Sequence, residues 1–302
     1  MNVFTQKVEK FLMPTSKIEN ALFDRRKNDA FYDNSLVVVK TGGSKLKPVE
    51  VLVSVDYQGQ REQGKDIPEI QRLTAYDKEI HNAVISLYNA GNQYLSPNII
   101  YNVLSGNREY KDGSRKSLTV SARQEVIFSL TKMRQTSMEI NATKEGRAFN
   151  GDEYKYSGRL LPSDFVSGVS LNNNPVQYCL HLLRSPPLLE YSKVRRQLTS
   201  VDVCLLGVLS SRANHVVIRN YLLRELLWMK HSKKRKRVIR YDTLQEYIGS
   251  VSSGSNDDIT HRRKRLRANV IRCLNYWVSQ DFIKGYREEK ERNIFSKVVL
   301  II

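Results

Sequence analysis

Apolar residues recur at helical spacing in several stretches of the chain, separated by short alternating runs. The first clear stretch begins at Thr74. Ile80, Ala83, Val84, Leu87 and Tyr88 lie three to four residues apart and share one helical face. Thr74 caps this helix with Asp77 three residues on, and Ala90-Gly91-Asn92 stops it. Tyr94-Leu95 is extended. Ser96-Pro97 is a second start, a cap followed by proline at the first helical position. Ile99, Ile100, Val103 and Leu104 follow, and Ser105-Gly106-Asn107 closes the helix. A third helix spans Thr119–Gln135, with Ala122, Val126, Leu130 and Met133 on one face. Ser137–Asn141 and Tyr154–Leu161 then read as strands around a turn containing Gly146 and Gly151. Helix, short strand, helix, helix, hairpin is the winged-helix form of the helix-turn-helix fold.

The same order recurs downstream. Thr199–Ser210 reads as a Thr-capped helix presenting Val203, Leu206 and Leu209. Asn214–His231 presents Val217, Tyr221, Leu222, Leu226 and Met229. Arg237–Tyr241 is a short strand, and Asp242 caps a brief helix over Thr243–Ile248. A Ser/Gly-rich loop, Gly249–Asp258, precedes a long basic amphipathic helix, Thr260–Gln280. Phe282–Tyr286 and Ile294–Ile301 form a last hairpin around Arg287–Asn293. Upstream, Leu36–Val39 and Val49–Val53 are β-type runs joined by Thr41-Gly42-Gly43-Ser44, and Gln58–Pro68 is a polar linker. The expected fold is therefore α+β with tandem winged-helix domains. Residues 1–70 form an N-terminal, β-containing extension, 71–189 a first winged-helix domain and 190–302 a second, basic one. The boundary follows Pro186-Pro187.

Charge sharpens this division. The 302 residues carry a formal charge of +18. Residues 191–302 hold 24 Lys and Arg against 10 Asp and Glu, a surplus of 14, which leaves only +4 for the rest. Such asymmetry points to a polyanion, either nucleic acid or an anionic membrane. No apolar run approaches the ~20 residues that span a bilayer, and the start carries no secretory h-region.

The long helix concentrates the candidate residues. On a helical wheel Leu266, Val270, Cys273, Leu274 and Trp277 fall on one side and should bury. His261, Lys264, Arg265, Ala268 and Arg272 fall opposite, with Arg262 beside them. No Asp or Glu occurs between Thr260 and Gln280, so nothing there repels a phosphate backbone, and the small Ala268 lets the helix approach closely. Arg263 and Arg267 point toward the packed side and reach phosphates only by snorkelling. The run Lys233, Lys234, Arg235, Lys236, Arg237 sits on a loop, where it grips phosphates or simply solubilises. The hairpin tip carries Lys290 and Arg292 among Arg287, Glu288, Glu289 and Glu291; its charge sums to zero, which weakens a wing contact. In the first half, Ser121, Gln124, Glu125, Phe128 and Lys132 face outward on the third helix, a surface equally suited to dimerisation and to DNA. Arg115 and Lys116 precede it as phosphate contacts.

Catalytic and metal patterns are missing from the sequence. Gly42-Gly43-Ser44-Lys45 fails the spacing of a phosphate-binding loop and reads as a turn. His81, His181, His215, His231 and His261 are scattered, and Cys179-x-His181 is a lone pair that fits a core better than a zinc site. The remaining cysteines, Cys204 and Cys273, are widely spaced, which excludes a disulfide framework and suits a reducing cytoplasm. None of the 16 tyrosines sits in an acid or histidine cluster that a nicking enzyme needs. The expectation is a protein with no catalytic residues, no metal and no cofactor.

The stretch Leu73–Tyr88 (LTAYDKEIHNAVISLY), with Ala90-Gly91-Asn92 and Ile99-Ile100-Tyr101, resembles the first winged helix of replication-initiator-like proteins. These occur on plasmids, prophages and integrative elements of Gram-positive bacteria. Tyr276-Trp277 and Phe282-Ile283-Lys284-Gly285-Tyr286 resemble the second. The match covers Leu73–Ile302. By analogy with iteron-type plasmid initiators, the resemblance implies two winged helices on one DNA repeat, the second reading bases and the first supplying dimer contacts and some backbone contacts. It further implies a cytoplasmic, nucleoid- or plasmid-associated protein that binds double-stranded DNA at origin repeats, as a homodimer or in monomer–dimer equilibrium, and recruits a host helicase or helicase loader. A winged-helix transcriptional repressor without an initiation role is the alternative. The near-neutral hairpin tip departs from the strongly basic wing of that pattern.

Overall fold

The computed structural model describes residues 1–24, 27, 29–33, 36–41, 48–58, 69–107, 118–148, 151, 153–208, 212–231, 237–248, 256–292 and 294–302. The chain divides into two compact units. One comprises Met1–Val103 and Ser117–Val201; the other comprises Leu104–Lys116 and Asp202–Ile302.

The first unit opens with β1 (Asn2–Val3), β2 (Lys10–Pro14), α1 (Lys17–Leu22), α2 (Asp29–Asp33), β3 (Val37–Thr41) and β4 (Val49–Tyr57). Then come α3 (Ala75–Asn89), β5 (Tyr94–Leu95), α4 (Pro97–Leu104), α5 (Val120–Gln135), β6 (Thr136–Asn141), α6 (Thr143–Ala148) and β7 (Lys155–Arg159). The rest is β8 (Ser163–Val166), β9 (Val169–Leu171), β10 (Asn174–Val176), β11 (Cys179–Leu182), α7 (Pro187–Val194) and β12 (Leu198–Asp202).

The starts of the helices follow from their caps. Thr74 Oγ1 accepts from the Asp77 amide at 3.3 Å, and the Asp77 carboxylate accepts from the Thr74 amide at 2.7 Å, a reciprocal capping box. Gly91, at φ +93°, ends α3 with its amide on the Tyr88 carbonyl. Thr119 caps α5 through the Ala122 amide. Between these punctuation marks α3 is buried from Asp77 to Leu87, packed against β2 and α5.

Residues 1–70 are woven into this unit. β1 pairs in parallel with β9, β2 lies beside β12, and β3 and β4 form an antiparallel pair with Val38 opposite Leu52. Their expected turn at 42–44 and most of the linker read at 58–68 lie outside the described residues. β6 and β7 do pair with each other, Ser137 opposite Arg159, but they extend the β3–β4 pair into a four-stranded sheet. Val53 and Val55 face Ile140 and Met138 across β4 and β6, all buried. The expected hairpin to β5 is instead β8 with β11, in the order β5–β11–β8, and β9–β10 is inserted at its end. Alternation along a strand marks the strand and its buried face; it does not name the strand it pairs with.

The second unit holds a 3₁₀ turn (Val203–Leu206), α8 (Ala213–His231), β13 (Val238–Arg240), α9 (Tyr241–Ile248), α10 (Asn256–Ser279), β14 (Gly285–Glu291) and β15 (Ile294–Ile301). Its sheet order is β13–β15–β14. The second unit runs helix, short strand, helix, helix, hairpin; in the first, α3, β5, α4 and α5 keep that order, but β6, α6 and β7 come before β8, and β9–β10 separates β8 from β11. In both, the short strand lies beside the later of the two strands, β11 or β15. Among the described residues the helix expected over Thr199–Ser210 is not formed: Thr199 lies within β12, and the single turn Val203–Leu206 follows, while residues 209 and 210 lie outside the described ones. Alternating, β-branched Thr199 and Val201 suit a strand, and two long side chains satisfy the turn's carbonyls. Trp277 Nε1 donates to the Leu205 carbonyl at 3.0 Å, and fully buried Arg219 donates from Nη1 to the Leu206 carbonyl at 2.7 Å.

Gly106, at φ +75°, lies so close to this turn that a Cβ would meet the Gly207 backbone. Gly106→Ala combines that collision with a left-handed backbone. A loss of about 1–3 kcal/mol in unfolding free energy is expected, measured by denaturant titration.

Candidate nucleic-acid interface

In α10, Leu266, Val270, Cys273, Leu274 and Trp277 are buried, and the helix packs against α8, α9 and β14. Burial pushes the Cys273 thiol up to about 12, so it behaves as a small hydrophobe. Once that side is buried, the opposite side must face outward. His261, Arg262, Lys264, Arg265, Ala268 and Arg272 are all exposed. Arg262, Lys264 and Arg265 make no hydrogen bond or ion pair with any described residue. Lys264, Arg265 and Arg272 surround the small Ala268, with Arg262 exposed nearer the start of the helix, and they form a surface that fits a groove lined with phosphates.

The two inward-leaning arginines are paired instead of snorkelling. Arg263 bonds the Asp242 carboxylate at the start of α9. Arg267 grips Glu288 of β14 with two bonds, Nε to Oε1 at 2.8 Å and Nη2 to Oε2 at 2.6 Å. The Tyr241 hydroxyl also donates to Glu288 Oε1 at 2.7 Å. These bonds, the guanidinium foremost, hold the Glu288 carboxyl below its usual range.

The hairpin is longer than its sequence suggests. β14 continues to Glu291, so Arg287–Lys290 are strand residues and only the tip turns, with Arg292 at φ +51°. Tyr286 does not end the strand because Arg287, Glu288 and Glu289 pair opposite Val299, Val298 and Lys297. Lys290 lies over the Phe295 ring at 4.6 Å, while Lys297 bridges Glu289 and Glu291 at 3.3 and 3.1 Å. Lys290 and Arg292 are both exposed, in a ribbon whose other charges are largely self-neutralised.

Arg212 is a cation that sequence reading passed over. It is exposed just before α8, and its charge, with those of Arg272 and Arg219, adds to burial in holding the His215 imidazole below its usual value. No motif marks it; only the packing of α8 on α10 brings it toward Arg272.

On α5, Ser121, Gln124 and Glu125 are exposed, together with Val120 at 72% and Phe128 at 49%. Lys132 is not outward as the wheel suggested. It is 4% exposed, 2.5 Å from Asp77, and donates to the Arg72 carbonyl at 3.1 Å. Its long stem lets it reach back under the helix to the same carboxylate that caps α3. Lys132→Ala would strand that carboxylate and is expected to cost about 3–5 kcal/mol, seen as a lower denaturant midpoint. The exposed face of α5 therefore carries no cationic surplus comparable to that of α10. Arg115, Lys116, Lys233, Lys234 and Arg235 lie outside the described residues.

Among the described residues no group of three or more His, Cys, Asp or Glu is placed to hold a metal ion. His181 stacks on Tyr94 with ring centroids 4.3 Å apart, and Cys179 is buried with its thiol pushed up to about 11. No helix among them is long and apolar enough to cross a membrane.

No family model matches the chain, and no curated protein does. Among solved structures, RctB domains 2–3 (residues 155–483) align with a TM-score of 0.47 at 14% identity, over 94% of this chain and 96% of that one. A selenomethionine derivative of RctB domains 2 and 3 aligns with a TM-score of 0.42 at 12% identity, over 95% of this chain and 96% of that one.

Proposed function

We propose that this chain is a sequence-specific, double-stranded-DNA-binding replication initiator of a mobile genetic element. In this reading both units are winged helices. The repeated order of elements supports that, as does the shared placement of the short strand beside the returning hairpin strand. The observation that carries duplex binding is the outward side of α10: Lys264, Arg265 and Arg272 exposed around Ala268, with Arg262 exposed nearer the helix start, on a helix whose other side is buried. The protein marks or melts an origin, recruits host replication machinery and performs no chemistry of its own. The initiation role is supported by the resemblance of Leu73–Tyr88 and Tyr276–Tyr286 to replication-initiator-like sequences. It works in the cytoplasm, on the element that encodes it, as a monomer or homodimer.

A protection footprint on the DNA flanking the gene tests this directly. Spaced direct repeats, and loss of element copy number when the gene is deleted, are expected. A lone protected palindrome over a promoter, with copy number unchanged, would make it a repressor. A relaxed product with bound protein, after incubation of supercoiled origin DNA with Mg²⁺, would make it an enzyme.

A further inference from the structure

The six cations of α10 are not equivalent. Arg262, Lys264, Arg265 and Arg272 are exposed. Arg263 and Arg267 are neutralised by acids from other elements, Asp242 and Glu288. The Arg267 pair is the more elaborate. Its guanidinium lies 3.6 Å from the Phe295 ring, and its carboxylate partner is itself held by Tyr241. The Arg267 side chain is 40% exposed and that of Glu288 only 14%, so the cation is at the surface and the acid sits behind it. Arg267 is also one helical turn from Lys264, on the flank of the cationic side nearest the hairpin.

Phosphate contacts strengthen binding to every sequence alike, whereas discrimination is a difference between sequences. A free Arg267 would add affinity for any duplex without adding information. To reach a phosphate it must leave a two-bond carboxylate and strand the largely buried Glu288 charge.

We infer that Glu288 is a specificity-determining residue of the duplex-binding face: it withholds Arg267 from the phosphate backbone and fixes the hairpin against α10. This rests on the proposed duplex-binding function. The test uses the full chain and a random-sequence duplex, with binding measured between about 50 and 200 mM salt. Glu288→Gln is expected to raise affinity roughly tenfold and steepen the log–log salt slope by about one unit, the signature of one new phosphate contact. Adding Arg267→Gln to it should return both values to those of the wild type, which a merely structural role for Glu288 would not do. Arg267→Gln alone should leave both unchanged, and this variant carries the test if Glu288→Gln does not fold. An unchanged slope in folded Glu288→Gln would overturn the inference, as would a slope flattened by about one unit in Arg267→Gln. Absence of salt-dependent duplex binding by the wild type would overturn the proposed function itself.

Discussion

Replacing Lys264, Arg265 and Arg272 together with alanine should flatten the salt dependence of duplex binding by about three log–log units and weaken binding roughly 10²- to 10³-fold near 0.1 M salt. The three side chains are exposed on one side of α10. Their removal takes away no described ion pair; Arg272 leaves behind a His215 freed of one repelling charge. Stability should therefore stay within about 0.5 kcal/mol per site, as for surface positions without partners. Single replacements divide the face further. A residue that reads a base edge loses about 1–3 kcal/mol on the specific site and little on random DNA. A residue that holds a phosphate loses equally on both. Circular dichroism and anisotropy titrations on the same samples separate these outcomes. Unchanged affinity in the triple variant would remove α10 from the interface.

Trp277→Ala should have a large effect on folding, comparable to that of Lys132→Ala. The indole is completely buried, packs edge-on against Phe282 with ring centroids 6.3 Å apart, and satisfies the Leu205 carbonyl. Truncation leaves a cavity and an unpaired buried acceptor, so a loss of about 3–5 kcal/mol is expected. Against a typical domain stability of about 5–15 kcal/mol this is a large fraction. The damage should be local. Hydrogen exchange of α8 and α10 amides should accelerate, while α3, capped by Thr74 and buried in the first unit, keeps its protection. A loss below about 1 kcal/mol would mean that the core drawn around α10 is wrong.

The starts of the helices could be read because they are local chemistry. Thr74 with Asp77, Ser96 before Pro97, and Thr119 satisfy helix amides within three residues, and each stands where its side chain implies. The two sides of α10 could be read for a related reason: a long helix with one apolar stripe has one way to bury it. Misreadings arose where the partner is distant. Thr199 looks like a cap, yet β12 pairs with β2, nearly two hundred residues earlier. The strands after α5 alternate correctly but join a sheet begun by β3 and β4. Lys132 lies on the outer arc of a wheel, and only the tertiary position of Asp77 draws it inward. The pairing of Arg267 with Glu288 likewise depends on a hairpin folding back onto α10. Periodicity placed Arg267 on the packed side but could not supply the acid.

Position 268 offers the most direct measurement, because Ala268 lies at the centre of the exposed cations. A photocrosslinking residue placed there should couple the protein to one locus of its target duplex, while the same residue at Trp228, exposed on α8, should give no adduct. A protein that still binds duplex DNA but yields adducts from 228 and none from 268 would contradict the account.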